Sequence, residues 1–221
     1  MPLVKICGIT APDALEASIS HGADFIGFNF YKPSPRYLPA EIAGKLTKKV
    51  PTSVRSVGLF VDATDEYIDT ILGCAHLDMI QLHGDESRTR VAEIRMKYNL
   101  PVIKAVRIRD AGDLEKIKDY TPVAEWLLLD SRPPGHDLPG GTGHRFDWNM
   151  LAGYKKLPEK WFLAGGLDEN NVWEAVEKIH PPGLDVSSGV ESGEGIKDPE
   201  KIKNFINNTK MKDGKRNVQT S

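Results

Sequence analysis

Short apolar runs alternate with longer amphipathic stretches along almost the whole chain. The runs predict eight β-strands, at residues 4–7, 25–28, 56–61, 79–82, 102–106, 126–129, 161–164 and 184–186. The stretches between and after them predict helices at residues 12–21, 39–49, 65–74, 86–98, 111–119, 146–151, 170–179 and 199–208. The first of these helices opens with Pro12 and ends before Gly22, two common end signals. Strict alternation of strand and helix indicates parallel strands.

The length of these units decides between two parallel α/β folds. Dividing 221 residues among eight strand–helix units leaves about 28 residues for each, close to the minimum for such a unit. Several strands are apolar throughout, as expected when helices cover both faces of a sheet. We therefore predict one α/β domain, a (β/α)8 TIM barrel with parallel strands, at residues 1–209, and a disordered polar tail at 210–221. An open doubly wound sheet is the alternative, but its first turn usually reads GxGxxG, and CGIT does not match that pattern.

Composition excludes several classes of partner. The chain is 40% hydrophobic and 27% charged with a net charge of -2, and no basic stripe predicts a nucleic-acid or membrane partner. No apolar run is long enough to span a bilayer, and the N-terminal residues leave no room for a signal peptide. The two cysteines are far apart and lack metal-ligand spacing, so we expect a cytoplasmic protein with reduced thiols and no metal.

In a barrel, the residues that follow the strands face one common pocket. This chain places there a thiol, carboxylates, cations and glycine-rich turns. They are Cys7, Asn29, Arg36, Asp62, His83, Arg107, Asp130, Gly165, Gly166, Ser187, Ser188 and Gly189. So polar a set at one rim predicts a binding or catalytic site there.

Two of these residues are candidates for acid and base chemistry. Cys7 ends the first strand, and a thiolate there is both a base and a nucleophile, although a small buried structural residue is the alternative. Asp130 closes an apolar strand, so its carboxyl group is partly desolvated and suits a general acid, or else anchors a loop. Lys5 shares the strand face of Cys7, either beside the thiol or in the barrel interior below it.

Two consecutive turns predict a phosphate site. Gly165-Gly166 and Ser188-Gly189 follow the seventh and eighth strands, the position at which many barrels bind phosphate. Glycine lets backbone N–H groups approach an anion closely, whereas tight turns are the structural alternative.

Three further positions are weaker candidates. Arg36 lies in a loop stiffened by two prolines and suits bidentate carboxylate recognition, although most loop arginines lie at the surface. His83 is either a ligand contact or a rim residue with local partners. Gly141 and Gly143 belong to a glycine turn that adds to the phosphate site or forms a flexible lid.

Six segments, in this order and spacing, carry a family resemblance: VKICGIT, FNFYKPSPRYL, QLHGDE, LLLDS…GGTGHRFDW, FLAGGL…NV and GLDVSSGVE…GIKD. Over residues 3 to about 207 the chain resembles the phosphoribosylanthranilate isomerases of tryptophan biosynthesis. The segment at 132–139 and the tail are the parts least similar to that family.

The resemblance implies an Amadori rearrangement of N-(5-phosphoribosyl)anthranilate to 1-(2-carboxyphenylamino)-1-deoxyribulose 5-phosphate, an aldose–ketose isomerisation without a cofactor. It implies that Asp130 is the general acid, that Cys7 as thiolate is the general base, and that Arg36 binds the anthranilate carboxylate. The glycine turns would bind the phosphate. From its place next to the second of these turns, Asp185 is a candidate polar contact to the substrate. The small-molecule substrate is the expected partner, and the chain is expected to be a monomer or a homodimer.

Two other functions stay open at this point. A related lyase, the indole-glycerol-phosphate synthase, would show lysine and glutamate at several strand ends, where this chain has cysteine and aspartate. A non-catalytic barrel that binds phosphorylated metabolites would keep the glycine turns but would not need both Cys7 and Asp130.

Overall fold

A computed structural model describes residues 1–131, 148–154 and 156–210. Within these residues, eight parallel strands close into a barrel in sequence order, with β8 pairing back onto β1. The strands are β1 Leu3–Cys7, β2 Phe25–Asn29, β3 Arg55–Phe60, β4 Met79–Leu82, β5 Val102–Ile108, β6 Trp126–Ser131, β7 Trp161–Leu163 and β8 Gly183–Val186. The predicted parallel barrel is confirmed, and the open sheet is excluded.

Helices follow the strands and cover the outside of the barrel. They are α1 Pro12–His21, α2 Ala40–Thr47, α3 Asp65–Cys74, α4 Arg88–Tyr98, α5 Ile117–Tyr120, α6 Asn149–Ala152, α7 Val172–Ile179 and α8 Pro199–Thr209. None of these described helices is long and apolar enough to cross a membrane. The predicted tail, apart from Lys210, and the segment at 132–139 lie outside the described residues.

Local hydrogen bonds explain where the helix ends match the prediction and where they differ. Gly22 ends α1 with a φ of 94°, as its position after the apolar face predicts. The seventh helix begins at Val172 rather than 170, because the Asp168 carboxylate accepts hydrogen bonds from the backbone N–H groups of Asn170 and Asn171. Those two residues therefore form a turn that precedes the helix.

The helix predicted at 111–119 is split. Residues Ala111–Lys116 form a 3-10 helix, and α5 follows it directly. The Asp110 side chain accepts hydrogen bonds from the N–H groups of Gly112 and Asp113, and this tight cap favours the narrower winding.

An apolar cluster fills the barrel interior from its N-terminal end to the floor of the cleft. Its buried members are Phe25, Val57, Met79, Ile103, Ala105, Leu128, Phe162 and Ala164. The Trp126 ring stacks on Phe162 with centroids 4.8 Å apart, and Phe25 meets Phe162 edge-on at 5.2 Å. Because this end is packed with side chains, the polar residues at the other end form a pocket with a closed floor.

A short hairpin after β8 was not predicted. A 3-10 turn, Ser188–Val190, leads into strands β9 Glu191–Gly193 and β10 Ile196–Lys197, which pair antiparallel. Strands of two and three residues are too short to show an alternating pattern. The hairpin turns the chain back, so that Glu191 and Lys197 are both buried next to the end of β8.

Candidate active site

The C-terminal ends of the strands enclose a cleft of about 640 Å³, its open mouth included. Ten of the candidate residues line it, from the ends of six strands and the loop after β2: Cys7, Asn29, Arg36, His83, Asp130, Gly165, Gly166, Asp185, Ser187 and Ser188. The structure therefore brings the predicted acid, base, cation and glycine turn into one pocket.

Asp62 and Arg107 do not line this cleft. The Asp62 carboxylate accepts a hydrogen bond from the Asp85 backbone N–H at 2.8 Å. The Arg107 guanidinium donates to the His83 carbonyl oxygen at 2.8 Å and pairs with Asp85. Both residues therefore hold the turn after β4 in which His83 lies.

Gly189 also lies outside the lining, and its role in the structure is close packing. A Cβ atom there would come within 1.9 Å of the Leu167 carbonyl oxygen, so the turns after β7 and β8 approach as closely as glycine allows. Gly141 and Gly143 lie outside the described residues.

The Cys7 side chain is buried at the end of β1. Burial raises the pKa of its thiol, and the Asp185 carboxylate raises it further, whereas the Lys5 and Lys197 ammonium groups lower it. The net effect leaves the pKa above its ordinary value, so the surroundings of Cys7 favour the thiol over the thiolate.

Lys5 lies beside the thiol, which decides between its two predicted positions. Its ammonium group is fully buried and pairs with the Asp185 carboxylate at 2.7 Å. A Cβ atom on Gly27 would meet the Cys7 Sγ at 2.9 Å and the Lys5 Nζ at 3.2 Å, so both atoms pack against this glycine. Burial lowers the pKa of Lys5, but Asp185 and Cys7 together raise it above its usual value, and the ammonium group stays charged.

Asp130 lies across the barrel from Cys7, on β6, and is held by a histidine in the turn after β4. Its Oδ2 is 3.2 Å from the His83 Nε2, and the His83 Nδ1 is 2.9 Å from the Gln81 amide nitrogen. With the amide donating to Nδ1, the ring proton is on Nε2 and points at Asp130. Gln81 is fully buried and was missed by the sequence analysis, although it opens the QLHGDE segment.

Arg36 is buried, not a surface arginine. Its Nε donates to the Glu191 Oε1 at 2.7 Å and its Nη2 donates to Oε2 at 2.8 Å. Lys197 donates to the same carboxylate at 2.5 Å. Burial raises the pKa of Glu191, but the two cations lower it below its usual range, so the carboxylate is ionised. Sequence analysis missed Glu191 and Lys197, since the only signal was their place in the last family segment.

The turn after β7 has the backbone conformation that its glycines permit. Gly165 and Gly166 both have positive φ, 86° and 66°. The Asn171 side-chain amide donates to the Gly166 carbonyl oxygen at 2.8 Å, and its oxygen accepts from the Asp168 N–H. Successive residues of this kind can turn their amides toward an anion, and both glycines line the cleft.

Solved structures of isomerases match the barrel closely. A crystal structure of phosphoribosyl anthranilate isomerase from Thermotoga maritima gives a TM-score of 0.85 at 37% identity, covering 95% of this chain and 99% of the other. An isomerase in complex with reduced 1-(o-carboxyphenylamino)-1-deoxyribulose 5-phosphate gives 0.82 at 35% identity with the same coverage. A structure of monomers generated from the dimeric Thermotoga maritima enzyme gives 0.81 at 34% identity, again with that coverage.

Sequence comparison agrees with the structural one. The N-(5'-phosphoribosyl)anthranilate isomerase of Paracoccus denitrificans is 48% identical over 204 residues, which cover 92% of this chain and 94% of the relative. A family model described as N-(5'phosphoribosyl)anthranilate (PRA) isomerase matches residues 4–208. The resemblance inferred from the six segments is thus confirmed, and the chain belongs to the N-(5'-phosphoribosyl)anthranilate isomerase family.

Proposed function

We propose that this pocket catalyses the Amadori rearrangement of N-(5'-phosphoribosyl)anthranilate to 1-(2-carboxyphenylamino)-1-deoxyribulose 5-phosphate, a step of tryptophan biosynthesis. One observation carries the proposal. Cys7 and Asp130 line the same cleft from opposite sides of the barrel, and each has its own polar partner, Lys5 and His83. An aldose–ketose isomerisation needs one acid and one base in such a position.

In the first step Asp130 acts as general acid. It gives its proton to the furanose ring oxygen, and the bond between that oxygen and C1 breaks. The anthranilate nitrogen supplies the electron pair that forms the C1=N bond of an iminium ion. The hydrogen bond from His83 Nε2 to Oδ2 fixes the orientation of the carboxyl group, so that its other oxygen can face the sugar.

In the second step Cys7 acts as general base. Its sulfur accepts the C2 proton, the C–H electron pair forms a C1=C2 bond, and the C=N pair returns to nitrogen. The resulting enolamine loses the C2 hydroxyl proton and gains one at C1, which gives the ketone. The iminium charge acidifies the C–H bond, and the Lys5 ammonium next to the sulfur stabilises the thiolate that must form.

Binding groups lie on both sides of this acid–base pair. We assign the substrate phosphate to Gly165, Gly166 and Ser188, with Gly189 holding the two turns together. We assign the anthranilate carboxylate to Arg36. Asp185 lines the cleft and uses one oxygen for Lys5, and we assign its other oxygen to a substrate hydroxyl.

A fluorescence assay tests the reaction. Freshly made phosphoribosylanthranilate is added to the enzyme, with the following synthase coupled to consume the product, and the loss of substrate fluorescence is recorded. We expect loss well above the enzyme-free rate, and none above it for Cys7→Ala. No loss in the wild type, with the reduced product analogue still bound, would favour the metabolite-binding barrel. Release of carbon dioxide from the carboxylated product by this protein alone, without the coupled synthase, would favour the lyase.

Three broader expectations accompany this proposal. We propose that residues 1–209 act as one barrel domain, that the protein works in the cytoplasm, and that it is a monomer or a homodimer without a nucleic-acid partner. Analytical ultracentrifugation of the full chain at several concentrations decides the oligomeric state. A mass that corresponds to more than two chains would contradict the expectation of a monomer or a homodimer.

A further inference from the structure

The Glu191 carboxylate has four hydrogen-bond donors, and two belong to Arg36. Oε1 accepts from the Arg36 Nε and from Lys197, while Oε2 accepts from the Arg36 Nη2 and from the Gly195 backbone N–H at 3.2 Å. The Glu191 side chain is only 5% exposed. Four donors hold this carboxylate in one orientation. Its two hydrogen bonds with Arg36 then hold the guanidinium in the matching orientation.

Arg36 is fixed along its stem as well as at its head. A Cβ atom at Gly8 would lie 2.8 Å from the Arg36 Cδ, so the arginine stem lies flat on the turn that follows Cys7. Because Glu191 takes the edge formed by Nε and Nη2, the guanidinium keeps the edge formed by Nη1 and the second Nη2 hydrogen. That edge is a second fork of two parallel N–H groups, the geometry that a carboxylate fits.

Lys197 ties this arrangement to the strand that ends in the pocket. Its ammonium group donates to Glu191 and to the Ser187 carbonyl oxygen at 3.0 Å. The Ser187 hydroxyl in turn donates to the Cys7 carbonyl oxygen at 3.1 Å. The β9–β10 hairpin, which carries both Glu191 and Lys197, is therefore bonded to the two strand ends next to the proposed base.

We propose that Glu191 is a positioning residue, which holds the second fork of Arg36 toward the anthranilate carboxylate, with Lys197 anchoring Glu191 to the end of β8. The inference rests on the proposed function, because it takes the substrate carboxylate as the partner of Arg36. It adds the hairpin to the active site: the hairpin selects substrates whose aromatic ring bears an ortho carboxylate.

Two ligands separate positioning from general support of the fold. One is the reduced product analogue, reduced 1-(o-carboxyphenylamino)-1-deoxyribulose 5-phosphate, and the other is its phenylamino counterpart without the carboxylate. Calorimetry gives the affinity of each for the wild type, Glu191→Gln and Arg36→Ala. We expect the wild type to prefer the carboxylated ligand by at least about 30-fold, since a charge-assisted pair contributes about 2 kcal/mol.

Glu191→Gln should reduce that preference at least about tenfold and leave the affinity for the other ligand within about twofold, since a glutamine presents only one acceptor to the guanidinium. Because both residues act through one fork, the double variant of Arg36→Ala and Glu191→Gln should lose no more of the preference for the carboxylated ligand than Arg36→Ala alone loses. In turnover, KM should rise while kcat changes little. If Glu191→Gln does not fold, Glu191→Gln with Lys197→Met replaces it, because this variant also removes one of the two cations that the Glu191 carboxylate pairs.

The chain offers a matched control. Asp113 is also a buried carboxylate between an arginine and a lysine, Arg109 and Lys116, and it does not line the cleft. Asp113→Asn should leave the ligand preference unchanged. An equal loss of affinity for both ligands in Glu191→Gln would overturn the proposal. So would tighter binding of the carboxylated ligand by that variant. A wild type that turns over substrate yet lacks the preference would refute the Arg36 assignment, whereas no turnover would refute the proposed reaction.

Discussion

The Lys5 ammonium and the Asp185 carboxylate form a buried ion pair with a contact of 2.7 Å, next to the thiol of Cys7. The two charges act on that thiol in opposite directions, since Lys5 lowers its pKa and Asp185 raises it. Pairing thus limits how strongly the lysine can favour the thiolate. The pair keeps a cation beside the proposed base without generating a permanently ionised sulfur.

The direction of the Cys7 pKa predicts that the thiol of the free enzyme becomes reactive only at alkaline pH. Only the thiolate is a nucleophile, so the rate of alkylation should rise with pH through the thiol pKa. Since burial raises that pKa, the rise should be centred above the ordinary thiol value of about 8.5. Alkylation by iodoacetamide, followed by mass spectrometry of the Cys7 peptide across the pH range, measures it. A rise centred well below this value would contradict the role of burial at Cys7.

Removing the Lys5 charge and removing the Asp185 charge should move the pKa of the Cys7 thiol in opposite directions. Asp185→Asn leaves the Lys5 charge uncompensated, which lowers the Cys7 pKa, whereas Lys5→Met removes the stabilising cation and raises it. The pH dependence of alkylation by iodoacetamide reports the pKa directly. Cys74, which is exposed, is first replaced by serine so that only Cys7 reacts. Shifts in the same direction for both variants would contradict this account.

The barrel and the residues of its rim were predictable because each depends on local sequence. Every strand is an apolar run, and Cys7 and Asp130 lie at the C-terminal ends of two of them. The closure of the sheet is therefore enough to bring both residues to the same rim of the barrel. The same reasoning placed Gly165 and Gly166 in the cleft, since successive glycines after a strand permit the observed positive φ values.

The pairing of charges across the barrel was not predictable from local patterns. Lys5 and Asp185 are 180 residues apart in sequence, and Arg36 and Glu191 are 155 apart. Neither periodicity nor turn chemistry carries information over such separations, because the contact depends on strand register and on a hairpin too short to leave a pattern. The direction of the Cys7 pKa depends on these same distant contacts, since burial and Asp185 outweigh the two lysines.

Cys7→Ala and Asp130→Ala should each lower kcat at least about 100-fold, the usual contribution of one acid or base. Both side chains are small and line an open cleft, so the fold and the affinity for the reduced product analogue should persist. Single-turnover rates and calorimetry measure the two effects. Cys74→Ala serves as the control, since this exposed thiol lies at the end of α3 and should not affect turnover. Normal turnover in either active-site variant would remove that residue from the mechanism.

Gln81→Met should lower kcat about tenfold with little change in KM. The substitution keeps the volume of a fully buried side chain but removes the amide that is 2.9 Å from the His83 Nδ1. The His83 ring then loses the contact that selects its tautomer, and the hydrogen bond to Asp130 weakens by about 1 kcal/mol. Steady-state kinetics at several pH values tests this, with the melting temperature as a check on folding. An unchanged kcat would show that Asp130 needs no support from this histidine.

Gly189→Ala should destabilise the fold by at least about 1–3 kcal/mol and weaken phosphate binding. The added methyl group would lie 1.9 Å from the Leu167 carbonyl oxygen, so one of the two turns must move, and the turn after β7 carries Gly165 and Gly166. Gly73→Ala is the control: no atom lies within 4 Å of its added Cβ, and alanine in α3 should stabilise the protein by about 0.5–1 kcal/mol. Urea unfolding and the KM of the substrate measure the two consequences. Stability loss without a change in KM would separate Gly189 from phosphate binding.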